Sequence, residues 1–560
     1  MGIKDVFLLF VLIIGCYCEG PILETKIGKI QGIQSEKTFR NKTYTINAYL
    51  GIPYAKPPVG EHRFKRPVPY GDLASPFDAS KFGSSCPQIE RPPFAKYSIN
   101  EDCLFLNVYV PATASDRPEG HAIMIWIHGG GLNYGAGQLY AGEVLAAHGN
   151  VIIVTINYRV GVFGFLNIGD ERAQGNMGLW DQRLAMNWIK ENIGSFGGDI
   201  NRITIFGESA GAVSVNIHIM YPPNKGLFQQ AISQSGAARS KFGSAAPHVT
   251  LAAYLGCNLS TADEIFYCLN NTNAKDVVDI QLQLRTDISK YEEISFMETI
   301  DGELIKRFQH DTIQDGLNNR QSDEIEFMQS LRYINGVNGN EGLSTFLRIL
   351  NAPLNEMIVT KEVLDNDYIP KFLSYIYPGQ EVPPEVQKVI AYEYTNWVDP
   401  EDATRMFIKY AGDVTYNVES MDLRTLHLKG EGSRIWVYSF EANMDQHLLS
   451  TPDWATTANH GDDLAPLNPS GNDSITWPEY EQDSMRHLVL DRTDSIGTRQ
   501  FAREVAFWRE VVPDMMAANE KCSKDKGPGD MVASSANSVF SYFGLSISIL
   551  LQSIYACDIF

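Results

Sequence analysis

The apolar positions of this chain fall into two kinds of block. Short unbroken runs form the first kind. Ala122 to Ile127 and Val151 to Ile156 are the strongest, followed by Ile203 to Phe206, Ala231-Ile232 and Arg434 to Phe440. A strand buried on both faces has no solvent side to alternate with, so such runs predict buried parallel strands. The second kind is spaced for helices. Leu179 to Ile193 sets Trp180, Leu184 and Trp188 on one stripe, with Gly194 as its stop. Ala210 to Ile219 reads as another helix, directly after the 203–206 run. Strands alternating with helices predict an α/β fold, a large and mostly parallel central sheet covered by helices on both faces. Residues 280 to 400 are more charged and carry weaker strand signals, which predicts helical insertions around a site entrance.

The two ends break this pattern. Lys4 precedes an apolar run from Val6 to Ile14, and Cys16 and Cys18 are small residues suited to cleavage. Residues 1–18 therefore read as a signal peptide, too short to span a membrane, with a buried N-terminal strand as the plainer alternative. Residues 526–560 run from Gly527-Pro528-Gly529 through Ser534-Ser535-Ala536 to an apolar stretch from Val539. That order suits a GPI-anchor signal, hence membrane attachment, or an ordinary weakly packed tail. No Lys or Arg follows it, so a stop-transfer helix lacks its positive flank. Residues 19–525 between them carry no repeat and no long Gly/Ser linker, and read as one catalytic domain with insertions.

Charge and cysteines narrow the function classes. A formal net charge of −21 leaves no basic face for phosphates, which argues against nucleic acid. No Cys/His cluster has zinc spacing and no Gly-x4-Gly-Lys-Ser/Thr loop is present, so neither metal nor nucleotide cofactor is expected. In a secreted chain disulfides are the default, and Cys86–Cys103 and Cys257–Cys268 are the local pairings. Cys522 has only Cys557 as a late alternative. If the tail is cleaved, Cys522 is left to bridge a homodimer or to stay a free thiol. Glycosylation sequons at Asn41, Asn258, Asn270 and Asn472 fit the same extracellular compartment.

The candidate chemistry centres on Gly207-Glu208-Ser209-Ala210-Gly211. Gly-x-Ser-x-Gly alone is weak evidence, and a structural turn would explain it. Its context is stronger, because a strand precedes it and a helix follows. Ser209 then sits on a sharp strand-to-helix turn, lifted to the carboxyl end of the sheet. Upstream, the Ala122–Ile127 run leads into His128-Gly129-Gly130-Gly131. Consecutive glycines let backbone N–H groups approach a developing oxyanion, so Gly130 and Gly131 are expected to donate together with Ala210. His128 is expected to be structural. In this fold order the acid and then the base follow the serine. His427, His447, His460 and His487 lie late enough for the base, and Glu341, Asp301 and Asp413 are open candidates for the acid.

At this point the chain resembles the type-B carboxylesterase/cholinesterase family over nearly its whole mature length. The matching segments include Ala48-Tyr-Leu-Gly-Ile-Pro-Tyr-Ala55, Glu101-Asp-Cys-Leu-Phe-Leu-Asn107, Asn176-Met-Gly-Leu-Trp-Asp-Gln182 and Phe196-Gly-Gly-Asp199. The resemblance implies an α/β-hydrolase fold with a Ser209–Glu341–His460 triad and an oxyanion hole of Gly130, Gly131 and Ala210. It implies the two local disulfides, Glu208 as an electrostatic neighbour of the nucleophile, and a small-molecule ester as substrate. Cholinesterases carry a choline-binding Trp in the first disulfide loop, but Pro87 to Asp102 offers only Phe94 and Tyr97 as aromatics. Glu208 stands where juvenile hormone esterases typically show Gln. The reading that results is a general carboxylesterase. The alternatives are a cholinesterase with an unusual choline site and an esterase-like adhesion protein without catalysis.

Overall fold

In the computed structural model the runs named above become the middle of one sheet. The structure describes residues 18–39, 42–89, 97–237, 247–286, 296–343, 358–377, 380–399, 403–440, 478–481, 483–490, 495–499 and 502–524. Residues 1–17 of the segment 1–18 expected to be a signal peptide, the 526–560 tail, Asn41, Phe94, His447, His460, Asn472 and Cys557 lie outside the described residues. The chain divides into two compact units, one of Met1–Ala238, Gly243–Gly336 and Arg424–Thr498, the other of Arg239–Phe242, Val337–Leu423 and Arg499–Phe560.

The first unit is built on the sheet. Its strands are β1 (Cys18–Thr25), β2 (Gly28–Phe39), β3 (Lys42–Pro53), β4 (Phe105–Pro111), β5 (His121–Ile127), β6 (Ile152–Ile156), β7 (Gly198–Glu208), β8 (Gln230–Gln234), β9 (Arg332–Asn338), β10 (Arg434–Phe440), β11 (Arg486–Leu490) and β12 (Ser495–Thr498). The spatial order is β1-β2-β3-β4-β6-β5-β7-β8-β9-β10-β11-β12, with a short strand Phe77–Asp78 beside β2. Strands β6, β5, β7, β8 and β9 pair with one another in parallel. Antiparallel pairing among the described residues lies toward the ends, at β1 to β4, between β4 and β6, and at β11–β12. Of these outer strands, β1 and β2 are largely exposed or half-buried and so form no continuous apolar run, whereas β4 is buried at six of its seven positions. In β5 every residue from His121 to Ile127 is buried. Ala122, Met124 and Trp126 enter a core shared with Ile153, Phe206, Ile232, Ile334 and Trp436.

Two helices support the carboxyl edge. Helix α1 (Met177–Asn192) matches the stripe expected from Leu179. Helix α2 (Ala210–Ile219) is buried at all ten positions, so it has no polar face to show. Its polar side chains are paired inside. Asn216 donates to the Gly236 carbonyl and accepts from Ser233 and Tyr333, and the His218 ring meets the Gln182 amide at 2.9 Å. Beneath the edge, Arg159 and Asp181 form a fully buried bidentate pair at 2.8 and 2.7 Å. Both predicted disulfides, Cys86–Cys103 and Cys257–Cys268, are formed.

The second unit is helical where it is described, as expected for the charged insertions. Helices Ile369–Ile376, Pro384–Glu393 and Thr404–Gly412 enclose their own core of Phe372, Ile390, Tyr394, Phe407, Tyr410 and Trp508. Cys522 falls within its last helix, Val512–Lys524.

Candidate active site

Parallel register brings the motif residues to one edge. Gly207 of β7 lies opposite Ile127 of β5, and Glu208 lies opposite Gln234 of β8. Gln234 in turn lies opposite Gly336 of β9. The chain therefore leaves β5 into His128-Gly129-Gly130-Gly131 beside the point where β7 turns into α2.

Ser209 occupies that turn with φ +54° and ψ −121°. A β-carbon is strained at such angles, and a strained non-glycine residue held at a turn is a pointer to function. Its surroundings hold it there. The Ser209 N–H donates to the Gln234 carbonyl at 2.9 Å, and its carbonyl accepts from the Val213 N–H at 3.0 Å. The flanking glycines are required by backbone contact. A Cβ on Gly207 would lie 2.6 Å from the Ile127 carbonyl oxygen, and one on Gly211 would lie 2.1 Å from that same oxygen. Gly236, which sequence reasoning passed over, presses the same turn from β8. Its Cβ would meet the Ser209 carbonyl at 2.5 Å. No local signal marked it, because the requirement arises only when β8 packs against the turn.

The glycine triplet adjoins this serine. A Cβ built on Gly129 would fall 3.3 Å from the Ser209 Cβ and 2.7 Å from Glu208 Oε2. Gly130 and Gly131 have φ +109° and +61°, so the loop folds back on itself, and the Gly130 carbonyl accepts from the Asn133 and Tyr134 N–H groups. Ala210 opens α2, and the first N–H groups of a helix have no acceptor within it. The donors expected for an oxyanion are thus carried on two backbone segments that meet at Ser209.

The electrostatics separate His128 from acid–base work. It is fully buried, its Nδ1–H donates to the Gly129 carbonyl at 2.8 Å, and its ring stacks on Tyr158 at 4.2 Å. Burial pushes its pKa down to about 4, against the smaller opposing effect of that hydrogen bond. Tyr158 donates to the His128 carbonyl at 2.7 Å. Burial raises the Tyr158 and Tyr140 hydroxyl pKa values, and the nearby Glu208 carboxylate adds to both.

The open alternatives can now be compared. Asp301 caps its own turn, accepting from the Glu303 and Ile305 N–H groups and from Asn176 Nδ2. Asp413 is buried in the second unit against Tyr394, Lys409 and Asn417. Both are committed to local structure. Glu341, also in the second unit, is buried in the turn after β9 and accepts from the Asn338 N–H at 2.6 Å. Among the histidines, His427 is buried on a helix with Nε2 donating to the Leu331 carbonyl, and burial pushes its pKa down to about 4. His487 is buried on β11, which lowers its pKa. The structure thus assembles Ser209, Glu208, Ala210, Gly130 and Gly131, and describes Glu341 separately. Asn258 is exposed, whereas Asn270 is half-buried, its carbonyl accepting from Arg63. Among the described residues no cluster of His, Cys, Asp or Glu could hold a metal ion, and no helix is long and apolar enough to cross a membrane.

Comparison with known proteins adds an independent line. A family model described as the carboxylesterase family matches residues 19–467. Liver carboxylesterase of Sus scrofa is 29% identical over 88% of this chain and 93% of its own length. Carboxylesterase 5A of Canis lupus familiaris is 29% identical over 90% of this chain and 91% of its own. Neuroligin-3 of Mus musculus is 30% identical over 91% of this chain and 71% of its own.

Proposed function

The chain belongs to the carboxylesterase family, and on that premise we propose that it hydrolyses small carboxylic esters through an acyl-enzyme on Ser209. The Ser209 oxygen attacks the ester carbonyl and its proton passes to His460, whose imidazolium is steadied by Glu341. The carbonyl oxygen, now negative, is held by the N–H groups of Gly130, Gly131 and Ala210. Collapse breaks the carbon–oxygen bond to the alcohol, which leaves with the proton from His460. Water then attacks the acyl group, gives a proton to the same base, and the carboxylic acid departs as Ser209 recovers its proton. Glu208 biases the site against further negative charge and is the neighbour that tunes it.

One observation carries this reading: a strained serine held by backbone contacts beside a glycine loop, at the carboxyl edge of parallel strands. The leader, the two disulfides and the exposed Asn258 sequon support action outside the cell. A membrane anchor in the tail and a dimer through Cys522 rest on sequence alone. The neuroligin-3 relative favours a second reading, a binding protein that keeps the fold without turnover. Steady-state hydrolysis of p-nitrophenyl butyrate separates them. The wild-type protein turns the ester over, and Ser209→Ala loses at least about 10⁴-fold in kcat while melting normally. A wild type without turnover would favour the binding protein, and an active Ser209→Ala would remove the serine from the mechanism.

A further inference from the structure

Glycines that can reach an oxyanion are also free to move away from it. Gly130, Gly131 and Leu132 all lie at positive φ, +109°, +61° and +59°. The glycines of this loop lack the side chains that would pack it in place, and glycine has the largest backbone freedom of any residue. A useful oxyanion hole needs its donors fixed before the charge develops. Two buried glutamines stand where that fixing would be done.

Gln88 approaches from the disulfide loop. Its Nε2 donates to the Gly135 carbonyl at 2.9 Å and its Oε1 accepts from the Gly135 N–H at 2.7 Å. The remaining Nε2 hydrogen goes to the Cys86 carbonyl at 3.0 Å. The side chain is 6% exposed, and its root is tied through Cys86 to Cys103. An amide that exchanges both bonds with the N–H and C=O of one residue acts like a neighbouring strand one residue long. Gly135 is also wedged on its other side, where a Cβ would lie 2.2 Å from His128 Nδ1 and 2.7 Å from the Gly129 carbonyl.

Gln281 approaches from a different segment, the helix Ala274–Thr286. Its Nε2 donates to Asn133 Oδ1 at 2.9 Å, and Asn133 Nδ2 donates to the Gly131 carbonyl at 2.5 Å. Gln281 is 4% exposed and Asn133 5%. Both links end on the closed turn between Gly130 and Gly135. Neither glutamine was marked in the sequence, since a single Gln carries no local pattern.

We propose that Gln88 and Gln281 are positioning residues that brace the Gly130–Gly135 turn from two segments and so preset the oxyanion donors. This rests on the reading of Gly130 and Gly131 as those donors. The brace acts on the charged intermediate more than on the bound ester, so it bears on kcat and leaves KM nearly unchanged. Gln88→Met and Gln281→Met keep side-chain length while removing both amide functions. The experiment measures hydrolysis of p-nitrophenyl butyrate, inhibition by a trifluoromethyl ketone that forms the tetrahedral adduct, and inhibition by the matching methyl ketone. For each variant kcat is expected to fall about 10- to 100-fold, short of or reaching the low end of what deleting a whole oxyanion donor costs. KM and methyl-ketone affinity stay within about twofold, and trifluoromethyl-ketone affinity falls by the same factor as kcat/KM. Folded variants that keep both kcat and trifluoromethyl-ketone affinity, or that change KM alone, overturn the brace. If Gln88→Met does not fold, Gln281→Met decides. Ser209→Ala is assayed alongside: a dead Ser209→Ala with unaffected glutamine variants rejects the brace alone, whereas an active Ser209→Ala rejects the underlying esterase reading.

Discussion

The Ser209 turn and the Glu341 turn both follow a sheet strand and both are rich in glycine, yet different contacts specify them. At Ser209 the glycines answer to nearby backbone: Gly207 and Gly211 to the Ile127 carbonyl, Gly236 to Ser209 itself. Around Glu341 the partners are just as distant in sequence but lie on two different segments. A Cβ on Gly336 would strike the Tyr438 ring at 1.9 Å, and one on Gly342 would strike the Ile408 carbonyl at 1.8 Å. At the first turn both motif glycines answer to one carbonyl, that of Ile127, on a strand, bend and helix that follow one another in sequence. At the second, Gly336 and Gly342 answer to two separate neighbours, a ring and a carbonyl. One shared contact writes a fixed glycine spacing into the sequence, and two separate contacts do not.

The sharpest way to break this comparison is to test the acid. Glu341→Gln is expected to lower kcat about 10³- to 10⁴-fold, because the imidazolium loses its partner. Asp301→Asn and Asp413→Asn, whose carboxylates serve local structure, should leave kcat of the folded enzyme within about threefold. A loss at Asp413 matching that at Glu341 would move the acid. Next come the glycines of the elbow. Gly211→Ala places a methyl group 2.1 Å from a sheet carbonyl and is expected to abolish soluble expression or cost at least about 100-fold in activity. Gly131→Ala meets nothing within 4 Å and pays only for φ +61°, about 1–2 kcal/mol, read from the melting temperature.

In the first unit, Asp181→Ala leaves the Arg159 guanidinium buried without its carboxylate. Urea unfolding should show a loss of about 3–5 kcal/mol. A neutral outcome would mean that the pair does not support the edge. Stability also depends on pH. Burial pushes His128, His218 and His427 down to about 4, 3 and 4. In the unfolded chain each binds a proton below about pH 6.5 that the folded chain refuses. Their contribution is therefore present above pH 6.5 and is lost as the pH falls toward 4, at up to about 1.4 kcal/mol per pH unit for each. Urea titrations at pH 7.5, 6.0 and 5.0 check this. Stability that rises on acidification would contradict it.

The same contrast explains what could be read from the chain alone. Strands buried on both faces, from Ala122 and from Arg434, were legible because burial writes itself as a continuous apolar run. Ser209, Gly130 and Gly131 were legible because backbone sterics demand particular residues at adjacent positions. The antiparallel strands Cys18–Thr25 and Gly28–Phe39 were missed, since their exposed and half-buried positions look like ordinary surface, and Lys42–Pro53 was missed although its last six residues are buried. Glu341 could not be told from Asp301 or Asp413 by composition. All three accept hydrogen bonds from near neighbours in the folded chain, so Glu341 rests on the family resemblance. Gln88 and Gln281 left no trace because a single Gln carries no local pattern.

The central claim is that Ser209 is an activated nucleophile. Its most direct test is covalent labelling by diisopropyl fluorophosphate followed by intact mass and peptide mass spectrometry. The account predicts one diisopropyl phosphoryl adduct per chain, on the peptide containing Ser209, and none on Ser209→Ala. An unlabelled wild-type chain, or a label that maps to a different residue, would contradict it.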